Sequence, residues 1–254
     1  MKTPTRALSI RPDPGGHVPE TAMVMAAGLG KRMRPLTATR PKPLVEVAGK
    51  ALIDHAFDRL RAAGVKRAVV NVHYLADALE AHLTHRVKGI DIVVSDERTQ
   101  LMETGGGMVQ ARELIGPDAF LVVNADNLWI DGPTDAIRSL AARWDDDAMD
   151  ALLLLVPLAQ AHSHGGQGDF RLDPAGQITG RRQPGRMAPF VFTGVQILSP
   201  RVLADWPEGP FSTMLFWERA IAVGRAYGVV HQGLWFDVGT PQAIPHAEAM
   251  MADG

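Results

Sequence analysis

Apolar runs of strand length alternate with stretches of helical periodicity from the first apolar segment to Asp145. Ala22 to Ala26 is continuously apolar and predicts a strand covered on both faces. Leu52, Ile53, Ala56, Phe57, Leu60 and Ala63 recur at the spacing of one helix face, with Gly64 as the stop signal. Arg67 to Val72 predicts a second strand, Leu75 to Leu83 a second helix and Ile90 to Val94 a third strand. A helix over Gly106 to Leu114, a strand over Ala119 to Val123 and a helix over Pro133 to Trp144 follow, Pro133 suiting a first helical turn. Strand–helix alternation of this kind predicts a mixed, mainly parallel sheet with helices on both faces.

After Asp150 the pattern changes. Ala151 to Val156, Phe170 to Leu172 and Val191 to Leu198 predict strands separated by polar, glycine-rich loops. Helical pattern returns at Ser212 to Val223 and after Pro241. With no linker, repeat or low-complexity tract in between, one domain with two halves is expected: 21–148 for nucleotide binding and 149–254, richer in strands, as a pocket over the sheet. Residues 1–20 carry prolines, glycines and charges without an apolar core segment, so a disordered extension is expected rather than a signal peptide.

The first strand runs into Ala27-Gly28-Leu29-Gly30-Lys31-Arg32, followed by Pro35-Leu36-Thr37 and Pro41-Lys42-Pro43. Glycines let the backbone bend and turn its N–H groups toward an anion. Lys31, Arg32 and Lys42 add positive charge, as a triphosphate requires. A dinucleotide fingerprint is excluded, because Met33 fills the slot of its third glycine and Pro35 would break the helix. A Walker A loop is excluded too, because Gly30-Lys31 is followed by Arg32. The prolines beside Lys42 predict an extended segment that fixes the reach of its ammonium.

Asn124 and Asp126 follow directly on a predicted strand, at the end where ligands bind in open α/β sheets. Asp237, in Phe236-Asp237-Val238-Gly239-Thr240-Pro241, also ends an apolar run. Each aspartate alone fits a turn or helix-capping residue equally well. Together they match what magnesium asks for, one or two carboxylates plus phosphate oxygens. Glu103-Thr104-Gly105-Gly106-Gly107 precedes a predicted helix; either Glu97 and Glu103 accept hydrogen bonds from a nucleobase edge, or the segment is a flexible, solvated loop. His162-Ser163-His164 lacks further ligands nearby and predicts solvated loop histidines, and Trp206, Met214 and Trp217 suit a core or pocket wall.

Composition narrows the partners. A net charge of −2 argues against a nucleic-acid surface. The absence of cysteine excludes disulfides, thiolate metal sites and cysteine nucleophiles. No apolar run approaches a membrane span, so a cytoplasmic location is expected.

Taken together these residues resemble the sugar-1-phosphate nucleotidyltransferases, the nucleoside-diphospho-sugar pyrophosphorylases. Their signature, Gly-x-Gly-x-Arg, Pro-Leu-Thr and Pro-Lys-Pro, is met by Gly28, Gly30, Arg32, Pro35 to Thr37 and Pro41 to Pro43. Asn124 and Asp126 meet the family's Asn-x-Asp, Asp237 to Pro241 its late Asp-Val-Gly-Thr-Pro, and Phe192-Thr193-Gly194 its sugar-contacting strand. The resemblance covers about residues 21–250 and is nearest to the N-acetylmuramate-1-phosphate uridylyltransferases of cell-wall recycling, without the β-helical tail of bifunctional members. It implies a Rossmann-like nucleotide-diphospho-sugar transferase fold, magnesium on Asp126 and Asp237, and catalytic roles for Arg32 and Lys42. It also implies contacts to UTP and a sugar 1-phosphate by residues 27 to 32, Glu97, Glu103, Thr104, Gly105, Asn124, Gly168, Asp169, Thr193 and Gly194, in a monomer or small homo-oligomer. One departure stands out. Where relatives carry Glu-Lys-Pro with a lysine on the sugar phosphate, this chain has Arg181-Arg182-Gln183-Pro184-Gly185-Arg186, and the residue that takes that contact is open. Another nucleoside triphosphate, an alcohol phosphate such as phosphocholine, or a nucleotide-sensing subunit without turnover are the competing readings. The presence of Arg32, Lys42, Asp126 and Asp237 together favours an enzyme.

Overall fold

A computed structural model of the protein describes residues 15–252, so the expected extension lies outside the described residues up to residue 14. In the first half the order is β1 (Thr21–Met25), β2 (Glu46–Val47), β3 (Lys50–Ala51), α1 (Leu52–Ala63), β4 (Arg67–Val72), α2 (Ala76–Arg86), β5 (Asp91–Asp96), α3 (Glu103–Gln110), α4 (Arg112–Ile115), β6 (Phe120–Asn124), β7 (Leu128–Ile130) and α5 (Ala136–Arg143). The second half adds β8 (Ala151–Pro157), β9 (Ala161–His162), β10 (Phe170–Leu172), β11 (Ile178–Arg181), β12 (Phe190–Leu198), α6 (Met214–Ala222), β13 (Ala226–Val230), β14 (Leu234–Phe236) and α7 (Ala243–Ala252).

Strands β1, β4, β5 and β6 are parallel neighbours. Because β1 is covered on both faces, its side chains divide between two cores: Ala22 and Val24 pack with Ile53, Phe57 and Leu60 of α1, and Met23 packs with Met108, Phe120 and Phe216. The long strand β12 turns the sheet mixed. It runs antiparallel to β8 along one edge and, along the other, to β6 and then β10. Its register against β8 shifts between Phe192 and Gln196, around Gly194, whose φ of 86° is in the left-handed region. A separate ladder, β7-β14-β9, lies apart from the main sheet over a third core that includes Met33, Leu52, Leu128, Phe236 and Val238. No helix among the described residues is long and apolar enough to cross a membrane.

Several local expectations need correction. The helix expected over 106–114 is two: α3 starts earlier, at Glu103, and gives way to α4 at Ala111. Gly105, Gly106 and Gly107 are therefore helical and buried, not a loop. The N–H groups of Gly105 and Gly106 both donate to the Phe211 carbonyl, at 2.8 and 3.1 Å, and a Cβ at 105 would stand 2.5 Å from the Phe211 ring. Close packing, not flexibility, selects these glycines. Pro133 stays outside α5, because Asp135 caps that helix instead, its carboxylate accepting from Arg138 N–H at 2.9 Å. Lys42 opens a 3₁₀ turn, Lys42–Leu44, and only Pro41 ahead of it is extended.

A buried polar relay ties the end of β1 to its neighbours. Asn71, in β4, accepts from Ala26 N–H at 2.6 Å and from Ala27 N–H at 3.3 Å. Its amide nitrogen then donates to Glu97 Oε1 at 2.7 Å, and Glu97 Oε2 accepts from Met102 N–H at 3.1 Å. Both side chains are fully enclosed, and burial pushes the Glu97 carboxyl above the usual carboxylate range. Every oxygen of the relay thus faces a donor. Glu97→Gln would set an NH₂ group against one of two N–H donors, so we expect a loss of about 1–3 kcal/mol. Urea unfolding checks this; a glutamine variant as stable as the parent would show that the carboxylate is not needed there.

Candidate active site

The parallel ends of β1 and β6 lie side by side, Met25 in register with Asn124, and both chains then turn over the top of the sheet. From β1 the turn is the glycine loop. Its entry is fixed by Asn71 on Ala26 and Ala27. Its exit is fixed by Thr37, a buried residue whose hydroxyl donates to the Gly30 carbonyl at 2.8 Å, while Tyr74 O–H donates to the Thr37 carbonyl at 2.8 Å. Gly30 has φ 59°, and a Cβ there would press on Thr37 and Lys42 at 3.0 Å. Between these anchors the N–H groups of Gly28, Leu29, Gly30 and Lys31 donate to nothing among the described residues. A run of unpaired N–H groups in a tight turn makes an anion cradle.

From β6 the turn carries Asn124, Asp126 and Asn127. Asp126 is ion-paired with Lys42, which the 3₁₀ turn delivers from the far side of the glycine loop. The late aspartate arrives by strand pairing: β14 runs antiparallel to β7 with Phe236 opposite Leu128, so the C-terminal end of one meets the N-terminal end of the other. Asp126 and Asp237 therefore flank the same end of this ladder. The main chain of Asp237 is held by its N–H on the His162 carbonyl at 3.1 Å. Its carboxylate meets His164 Nδ1 at 3.2 Å. A Cβ at Gly239 would stand 2.9 Å from Asp237 Oδ1 and 3.1 Å from the Arg32 guanidinium, so the bare position lets these two groups approach. His162 and His164 are consequently half-buried and engaged, His162 against the Phe236 ring, rather than solvated in a loop. Among the described residues no three carboxylate or imidazole groups form a ready-made metal cage. The donor set fits magnesium, which takes one or two carboxylates and completes its shell with phosphate oxygens and water.

Beside this charged end lies a cavity of about 360 Å³, opened where β6 stops and β10 begins along the shared edge of β12. Asn124, Asp169, Arg182, Phe192, Gln196 and Trp217 are among its walls. Asp169 accepts from Phe192 N–H at 2.9 Å, and Trp217 donates to Gln196 Oε1 at 2.8 Å. Thr104, at the start of α3, lines the cavity too and accepts from Thr213 N–H at 2.9 Å. Gly168 also faces it, with φ 80° and no room for a Cβ against the Ala188 carbonyl.

The loop residues 27 to 32, Lys42, Asn124, Asp126 and Asp237 thus come together, and Gly168, Asp169 and Thr104 gather at the cavity. Glu103 is exposed at the start of α3. Two residues stand apart by their side chains. Glu97 is committed to Asn71 and Met102, and the Thr193 hydroxyl donates to the Leu154 carbonyl at 2.8 Å inside the sheet. Sequence reasoning missed Asn71, a polar residue inside an apolar strand, which was the available signal. It also missed Gln196, likewise polar within a strand, and Asn127, whose amide nitrogen is buried without a partner among the described residues.

Comparison with known proteins identifies the family and the fold. Residues 21–167 match the nucleotidyl transferase family. The chain is 50% identical over 240 residues to an N-acetylmuramate alpha-1-phosphate uridylyltransferase of Caulobacter vibrioides, covering 93% of this chain and 99% of that one. It is 35% identical to the protein of the same name from Neisseria meningitidis serogroup B, over 90% of this chain and 97% of the relative. The inositol-1-phosphate CTP transferase from T. maritima superposes with a TM-score of 0.76 at 18% identity, over 94% of this chain and 99% of that one. UDP-glucose pyrophosphorylase from Acinetobacter baumanii gives 0.74 at 18%, over 91% and 92%. At those identities the likeness is one of fold, a mixed sheet flanked by helices. The chain belongs to the nucleotidyl transferase family.

Proposed function

We propose that this nucleotidyltransferase transfers the uridylyl group of UTP to N-acetylmuramate 1-phosphate, releasing pyrophosphate. What carries the reading is half-identity to a uridylyltransferase of that name along nearly the whole of both chains. The unpaired N–H groups of the glycine loop, opposite two converging carboxylates, support it.

In this reading a phosphate oxygen of the acceptor attacks the α-phosphorus, the new P–O bond forms, and the bond to the β-phosphate oxygen breaks. A phosphate dianion is already nucleophilic, so the protein's work is alignment and charge neutralisation. The N–H groups from Gly28 to Lys31, with Arg32, hold the β- and γ-phosphates that leave as pyrophosphate. Lys42 turns from Asp126 to the α-phosphate, where charge grows in the transition state. Asp126 and Asp237 are the residues that would hold magnesium, which would supply positive charge to neutralise the phosphates. Glu103 faces the uracil, Gly105 being spent on the Phe211 carbonyl, and Thr104, Asn124, Gly168, Asp169 and the Gly194 backbone form the sugar subsite.

Asp126→Asn should fold as the parent does, since that side chain is about one-third exposed. Its pyrophosphate release should fall by on the order of 10²–10³-fold at saturating magnesium. Activity near the parent level would remove Asp126 from the mechanism. Crossing UTP, CTP, GTP and dTTP with a panel of sugar 1-phosphates tests the substrates; UTP with N-acetylmuramate 1-phosphate should give the highest kcat/KM. A better pair elsewhere would leave the family standing and overturn the substrates.

A further inference from the structure

The His162-Ser163-His164 stretch is delivered to the late aspartate by strand pairing. β9 runs parallel to β14, with Trp235 opposite Ala161 and Phe236 opposite His162. The residue that follows β14 is Asp237, and its N–H donates to the His162 carbonyl at 3.1 Å. The His162 ring is spent on packing, 5.6 Å from the Phe236 ring and 6.0 Å from His246 of α7. A tight turn then closes, His164 N–H donating to the Ala161 carbonyl at 3.3 Å, and brings the second imidazole to the Asp237 side chain.

That imidazole is seated on two sides. The Trp235 ring lies 6.0 Å from it, centroid to centroid, and a Cβ at Gly166 would stand 2.3 Å from Nε2. The Nε2 edge therefore rests against bare backbone, while Nδ1 is 3.2 Å from Asp237 Oδ2. A carboxylate can only accept, so Nδ1 carries the proton and donates. Asp237 Oδ1 accepts from no group among the described residues. Direct metal ligation by His164 is excluded on this geometry, since one ring nitrogen is taken by the carboxylate and the other is covered by Gly166. What the pair resembles is the hydrogen-bonded support that orients a metal-binding carboxylate from behind.

We propose that His164 is a positioning residue for Asp237, fixing its carboxylate through Oδ2 and keeping Oδ1 free for magnesium. The main chain of Asp237 is already tied to His162, but its carboxylate, about one-quarter exposed, would otherwise turn about its terminal torsion. The inference rests on the metal role given to Asp237 above.

The test measures UTP binding by calorimetry without acceptor, once with saturating magnesium and once with EDTA. Parent, His164→Leu and His164→Asn are compared: leucine fills space without a donor, whereas asparagine sets an amide nitrogen where Nδ1 stands. The parent should bind UTP more tightly with magnesium. His164→Leu should lose about tenfold in affinity with magnesium and keep the parent's affinity in EDTA. In turnover it should raise the magnesium concentration for half-maximal rate by a similar factor and leave KM for the acceptor in place. His164→Asn should recover part of both losses. In an Asp237→Asn background His164→Leu should add little, because the group it positions is already gone. Equal losses with and without magnesium would make His164 a general support of the loop and overturn the inference; unchanged affinity in His164→Leu would do so too. Thermal unfolding of both variants should match the parent, and losses that tracked lowered stability would also count against it. A parent that bound UTP equally well in EDTA would fail at the first measurement and remove the metal role of Asp237 itself.

Discussion

Three residues of β7 pair antiparallel with three of β14, and that short ladder carries the late carboxylate to the early one. Few backbone hydrogen bonds are involved, so the ladder draws its stability from what lies beneath. Leu128, Phe236 and Val238 bury themselves with Met33 and Leu52, residues from the glycine-loop turn and the start of α1. The same apolar cluster therefore supports the loop on one side and both aspartates on the other. Hydrophobic burial is nondirectional; here the strand register converts it into direction.

Charges of one sign brought together this way repel unless each is answered. Lys42 answers Asp126, while His164 and the nearby Arg32 guanidinium answer Asp237. All three partners come from segments other than those carrying the aspartates. Folding thus assembles a site of alternating charge before any ligand arrives, and a preorganised field of this kind needs little reorganisation when phosphate charge develops. It also explains why cation and carboxylate positions are so dispersed in sequence: neighbours in the chain would share one local geometry, whereas separate elements can face each other.

Much of the fold was legible because its strands and helices are long and buried on defined faces. The strand over Arg67–Val72 and the helix over Leu52–Ala63 match residue for residue, since a mostly apolar, valine-rich run and a clean helical stripe leave little choice. The ladder β7-β14-β9 was not legible as strands, because two- and three-residue segments carry no periodicity. For the glycines at the start of α3 the sequence left a flexible loop open beside a base contact, since intrinsic propensity disfavours glycine in a helix and only contact with Phe211 rescues them. His164 looked solvated because its partner lies seventy-three residues on. At the site the loop, Lys42, Asp126 and Asp237 were expected from the sequence to converge and the structure brings them together, while the roles of Glu97 and Thr193 in the scaffold depend on neighbours in other strands.

Those scaffold residues follow one rule. Asn71, Glu97, Thr193 and Gln196 are all buried polar groups within or beside strands near the site, and each answers a specific donor or acceptor on another element. Burying them is expensive next to an apolar side chain. What they add is position: a hydrogen bond tolerates little displacement, so the loop entry and the cavity floor are set to within a fraction of an ångström. Gly194 acts in the complementary way. Its left-handed backbone breaks the regular register of β12 between Phe192 and Gln196, so β6 can end and β10 begin on the same edge with a gap between them. The cavity is therefore not a hole left by poor packing. It is the space that one strand makes when a glycine lets it serve two partners in succession.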